Sequence, residues 1–199
     1  MTKEEFKKNA KEIFATGIRG IFSIMPIKRL LAERTFILAL LLSILLTIFV
    51  SVSGYTLSYI ERVTNLTKDI IPAILGLSLA GFAIVISQIN TETFKRTANI
   101  QEGKTHSLYQ KTNAAFAIMC LSQLISLILS IVVSLIMPIT VNIPVTELQA
   151  NLVNIFLIFI LTFILLCSLF SVFDIIYTIF ASGQIVNFMF IKNKFDESN

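Results

Sequence analysis

The chain has 199 residues, of which 55% are hydrophobic and only 14% charged, against roughly 25% charged in soluble domains. So few charges cannot cover a water-facing surface, which excludes an ordinary soluble protein and makes lipid the solvent for much of the exterior. A net charge of +4 would raise nucleic acid as a partner of a soluble domain; in a membrane chain, basic residues first of all hold loops on the cytoplasmic side.

Residues 1–30 read as a cytoplasmic amphipathic segment. Over residues 2–22, Phe6, Ala10, Ile13, Phe14, Ile18 and Ile21 recur at helical spacing, with Lys3, Lys7, Lys8, Lys11 and Arg19 on the other face. This pattern predicts a helix lying on a surface rather than crossing a bilayer. Pro26 breaks it. No apolar run followed by a small-residue cleavage site marks a signal peptide, and Glu4, Glu5 and Glu12 speak against a mitochondrial presequence.

Residues 31–191 read as a four-helix transmembrane domain. Crossing a hydrocarbon core of about 30 Å takes about 20 apolar residues. The predicted spans are about 35–54, 70–92, 113–137 and 152–178. Residues 55–69 read as a short polar connection, with Pro72 in the first turn of the second span, where proline is tolerated. Residues 95–111 form a basic loop, and Pro138 ends the third span. The fourth apolar stretch continues to Ile191, about 60 Å as one helix. It either projects into the cytoplasm or bends near Gly183 along the interface. A polar tail, 192–199, follows.

Lysines and arginines set the orientation. The segment to Arg34 holds eight, the first connection two, the second loop four, the third none and the tail two. The positive-inside rule places the N-terminus, the second loop and the tail in the cytoplasm. The expected fold is therefore an all-α membrane protein of four transmembrane helices, preceded by an amphipathic helix, with both termini cytoplasmic and the long fourth helix projecting into the cytoplasm.

Small and polar residues form stripes along the spans. Thr35, Ala39, Ser43, Thr47 and Ser51 mark the first, and Ser122, Ser126, Ser130 and Ser134 the third. The second carries Ala73, Gly76, Ala80, Ala83, Ser87 and Asn90; the fourth carries Cys167, Ser171, Asp174, Thr178 and Ala181. Spacings of three and four put each set on one helix face. Such stripes are either packing seams, since membrane helices associate through small residues, or the wetted wall of a pore. The polar residues toward the cytoplasmic ends of the second and fourth spans favour water, because polar groups in hydrocarbon are costly unless paired or hydrated. Asp174, the one acid inside the long apolar stretches, either pairs with a cytoplasmic cation or, repeated around a ring, forms an acidic ring that favours cations.

Lys95, Arg96, Lys104 and Lys111 serve topology or form an anion site for lipid headgroups or a nucleotide. His106 is the single histidine, and Cys120 and Cys167 lie within apolar segments, outside any metal-type spacing. Neither a catalytic constellation, a metal site nor a cofactor motif is predicted: no phosphate loop and no nucleophile with a base at recognisable spacing is present.

The run IPAILGLSLAGFAIVIS from Ile71 to Ser87, followed by Phe94-Lys95, resembles a segment of small multi-span proteins from bacterial anti-phage defence loci. The Hailong-type channel effector, controlled by an oligonucleotide from a nucleotidyltransferase, is one such protein. The resemblance implies an inner-membrane effector that conducts ions and halts growth; no ligand-binding residue carries over with it. The expected protein is thus an oligomeric gated pore of three to five chains in the lipid bilayer, controlled by a soluble signalling partner or an anionic or nucleotide ligand. The competing expectation is a non-conducting membrane partner, such as a bacteriocin immunity protein or an accessory subunit.

Overall fold

The computed structural model describes residues 18–31, 33–87, 106–139 and 146–197. Six helices account for the regular structure of these residues: α1 Ile18–Ile24, α2 Ile27–Leu31, α3 Arg34–Ser53, α4 Thr56–Ser87, α5 Leu108–Ile136 and α6 Glu147–Glu197. Four of them, α3 to α6, are long and apolar enough to cross a membrane. The chain is a multi-pass membrane protein on that ground.

The helix ends follow from local chemistry. Gly54 takes φ 74°, ψ 1°, the left-handed conformation that closes a helix C-terminus at little cost without a Cβ. Thr56 starts α4 almost at once, so the connection between α3 and α4 is very short. Ser107 opens α5 with a capping box: its hydroxyl accepts from Gln110 N at 3.1 Å, and Gln110 Oε1 accepts from Ser107 N at 2.9 Å. Thr146 and Gln149 repeat the device before α6, at 3.4 and 3.1 Å. Pro26 separates α1 from α2.

One expectation needs correcting. Residues 56–69 are not a polar connection but the first half of α4. Ile60, Val63, Thr64, Thr67 and Ile71 recur at helical spacing and are buried; burying that stripe outweighs the polar residues Glu61, Arg62, Asn65 and Asp69 on the other face. Pro72 consequently lies well inside α4 rather than in its first turn, and its missing N–H leaves the Lys68 carbonyl without its helical donor. The fourth span runs unbroken through Gly183 to Glu197, a helix of 51 residues, about 76 Å long at 1.5 Å per residue. Of the amphipathic segment, residues 1–17 lie outside the described residues.

The helix α6 is the hub of the bundle. It packs against α3, α4 and α5, and α4 also packs along α5, whereas α3 meets α4 over only a few positions and does not pack along α5. The bundle alternates in direction: Thr35 of α3 meets Asp174, and Ser122 and Gln123 of α5 meet Ser168 and Ser171. Ile60, Val63, Ile71, Val133, Ile158 and Leu161 form the main apolar cluster, with Val85, Phe116 and Ile175 a second one nearer the Asp174 end. Leucine, isoleucine and phenylalanine side chains such as Leu41, Leu45, Phe49 and Phe156 cover the outside.

Several hydroxyls in the bundle satisfy themselves locally. Ser43, Thr47, Ser51 and Thr67 each donate to a carbonyl three or four residues earlier, at 2.7–2.8 Å. Away from water this removes the cost of an unpaired group and leaves a thin side chain. Ala39, Ser43 and Thr47 are buried on α3, and Ser126 and Ser130 on α5. The stripes of the first and third spans thus lie inside the single-chain bundle.

Candidate functional site

The stripes of the second and fourth spans face different surroundings. Ala73, Gly76, Ala80, Ala83 and Ser87 are all exposed on α4, and a Cβ added at Gly76 would meet nothing within 4 Å. The buried face of α4, through Ile71, Ser78, Gly81 and Val85, lies roughly 160° around the helix at 100° per residue. The small-residue face therefore points away from the other three spans. Gly81 sits on the buried side, where a Cβ would lie 2.9 Å from Ile179 Cδ1 and 3.0 Å from Ile175 Cγ2; here glycine lets α4 approach α6 without displacing those two side chains.

Ser171, Asp174 and Thr178 lie instead on the part of α6 that looks between α3 and α5. Ser171 is buried and enters a polar node. Gln123 of α5, wholly buried, donates from Nε2 to Ser78 Oγ of α4 at 2.9 Å and to Ser171 Oγ at 3.1 Å. Both serines pass their protons to their own helices, Ser78 to the Ile74 carbonyl at 2.9 Å and Ser171 to the Ser168 carbonyl at 2.7 Å. One amide thus ties three spans together, with each of its N–H groups satisfied. Ser78 Oγ also lies 3.0 Å from Gln123 Oε1; one hydroxyl proton cannot serve both acceptors, and donation to Ile74 leaves the oxygen free to accept from Nε2.

Asp174 is half-buried where α3, α5 and α6 meet. Thr35 Oγ1 donates to its Oδ2 at 3.1 Å, and Thr178 Oγ1 donates to the Asp174 carbonyl at 2.7 Å. Among the described residues no lysine or arginine nitrogen forms an ion pair with it. Because α3 and α5 do not close against each other, a crevice remains over this face of α6. Its mouth, about 610 Å³, is lined by Arg34, Thr35, Lys111, Thr112, Asp174 and Thr178 among others. An apolar slot of about 350 Å³ continues from it, walled by Phe36, Ile118, Phe163, Ile164 and Cys167, and the two share Met25, Glu33, Thr35, Ala115, Met119 and Asp174.

Of the candidate anion-binding residues, Lys111 is brought to this crevice, while Lys95, Arg96 and Lys104 lie outside the described residues, as does Asn90. Two participants were missed in the sequence. Gln123 is the one amide in the third apolar run, and that solitary polarity was its signal. Arg34 was counted only toward topology. Comparison with protein-family models, curated proteins and solved structures finds no match.

Proposed function

We propose that the chain is one subunit of a gated, ion-conducting homo-oligomer of the bacterial inner membrane, with its termini and the basic segment 95–111 in the cytoplasm. The reading is carried by the outward face of α4, where Ala73, Gly76, Ala80, Ala83 and Ser87 are exposed in the single chain. Lipid gives no reason to present small side chains to it, whereas small residues at three-and-four spacing let a second helix approach closely. The interior of one chain is filled by bonded polar groups such as the Gln123 node. An ion path in this reading runs between chains, with Asp174 supplying a carboxylate near its cytoplasmic mouth. Control by an anionic or nucleotide signal, and a role in anti-phage defence, belong to the same proposal and rest on the basic loop and the resemblance of residues 71–87.

A non-conducting membrane partner is the second reading. It is favoured by Ser171, a polar residue of the fourth span whose hydroxyl is engaged in bonds within the chain, to the Ser168 carbonyl and from Gln123. Particle size in nanodiscs and conductance in planar bilayers separate the two. The pore reading expects a symmetric assembly of three to five chains that conducts, and Gly76→Trp, which has open space in the single chain, should break the assembly while leaving the bundle folded. A monomeric wild-type particle, or assemblies unaffected by Gly76→Trp together with silent bilayers, would overturn it.

A further inference from the structure

The crevice between α3 and α5 has a shape and a charge pattern that fit one class of molecule. The slot is apolar and long-walled, with Phe36 and Ile118 on its two sides and Phe163 and Ile164 at its floor. The mouth carries charges of both signs, Arg34 and Lys111 against Asp174. Among the described residues neither the Arg34 guanidinium nor the Lys111 ammonium makes a hydrogen bond or ion pair. Asp174 receives one neutral hydroxyl, from Thr35. A carboxylate at the edge of the hydrocarbon with one neutral donor lacks the cation that such a site calls for, and among the described residues the Arg34 and Lys111 side chains at the same mouth pair with no carboxylate.

We propose that this crevice binds a phospholipid with a primary-ammonium headgroup, phosphatidylethanolamine, from the leaflet at the Asp174 end. One acyl chain fills the slot, the phosphate meets Arg34 and Lys111, and the ammonium donates to Asp174. Arginine and lysine at a membrane boundary suit a lipid phosphate. A phosphatidylcholine headgroup has no N–H to give the carboxylate, and phosphatidylglycerol brings no cation to Asp174. The proposal is independent of whether the protein conducts.

The test is lipid retention by the purified full chain, read by native mass spectrometry after exchange with an equimolar mixture of phosphatidylethanolamine, its mono-, di- and trimethylated forms, and phosphatidylglycerol. A charged hydrogen bond to Asp174 predicts retention falling with methylation, on the order of tenfold across the series. Asp174→Asn should flatten the series, Arg34→Ala with Lys111→Ala should lower retention of every phospholipid, and Ala115→Phe should block the slot and do the same. Equal retention across the methylation series in the wild type overturns the proposal without any variant. Equal binding of glycerophosphoethanolamine, which has no chains, would make the ligand a soluble one and also overturn it. An Ala115→Phe protein that retains phosphatidylethanolamine as before would place the chain elsewhere, with the same consequence.

Discussion

Removing the amide of Gln123 should cost less than removing a hydroxyl that it bonds. In Gln123→Leu two side-chain hydrogen bonds are lost, at about 0.6 kcal/mol each in lipid, or about 1.2 kcal/mol together. Neither serine is orphaned, because Ser78 and Ser171 keep their protons on the Ile74 and Ser168 carbonyls. In Ser171→Ala the amide stays and one of its N–H groups loses its partner at a fully buried position, which costs about 1–3 kcal/mol. The order should therefore be Ser171→Ala worse than Gln123→Leu. The double variant should be less destabilised than the sum, since without the amide the alanine leaves nothing unpaired. Unfolding free energies in bicelles, measured by steric trapping, give all three values. A Gln123→Leu protein several kcal/mol less stable, beside a neutral Ser171→Ala, would refute this account of the node.

Gly81→Val should loosen the contact between α4 and α6, since its Cβ alone would stand 2.9 Å from Ile179 Cδ1; a loss of about 1–3 kcal/mol is expected from overpacking, read in the same unfolding assay. Among the described residues Thr64 Oγ1 is buried without a partner, so Thr64→Val should stabilise the bundle by about 1 kcal/mol, and a clear loss of stability would show that the hydroxyl is bonded. Topology is read with reporter fusions: those at Lys104 and after Asn199 should be active in the cytoplasm and one at Val145 outside.

Apolar length and the absence of charge made the four spans legible, because only helices satisfy every backbone group in lipid without a partner strand. The connection between the first two was misjudged by weighing composition over period. Glu61, Arg62, Lys68 and Asp69 look like a loop when counted, yet Ile60, Val63, Thr64, Thr67 and Ile71 keep helical spacing throughout and are buried. The stripes were legible as faces but not as to what they face. Ser126 on α5 and Ala83 on α4 belong to equally regular series. One series is inside the bundle and the other outside it, and periodicity fixes only angles about a helix's own axis. Gln123 was passed over because it falls beside Ser122 in a stripe read as serine alone; its role depends on Ser78 and Ser171, far away along the chain.

Asp174 carries two proposals, and bilayer composition separates them. At the mouth of an ion path its charge acts over a Debye length of about 8 Å at physiological salt, so Asp174→Asn should lower cation preference, most at low salt, and Asp174→Lys should reverse it. A phosphatidylethanolamine ammonium seated on the same carboxylate would cancel that charge. Wild-type cation preference should then be stronger in phosphatidylcholine bilayers, where no N–H donor holds the carboxylate, than in phosphatidylethanolamine, while Asp174→Asn should be indifferent to the lipid. Thr35→Val offers a milder probe, since it removes the 3.1 Å hydroxyl donor without changing the charge and should leave the selectivity in phosphatidylcholine unchanged. A conducting assembly whose selectivity is the same in the wild type and in the asparagine and lysine variants would take Asp174 out of the ion path. The crevice between α3 and α5 would then stand or fall on lipid retention alone.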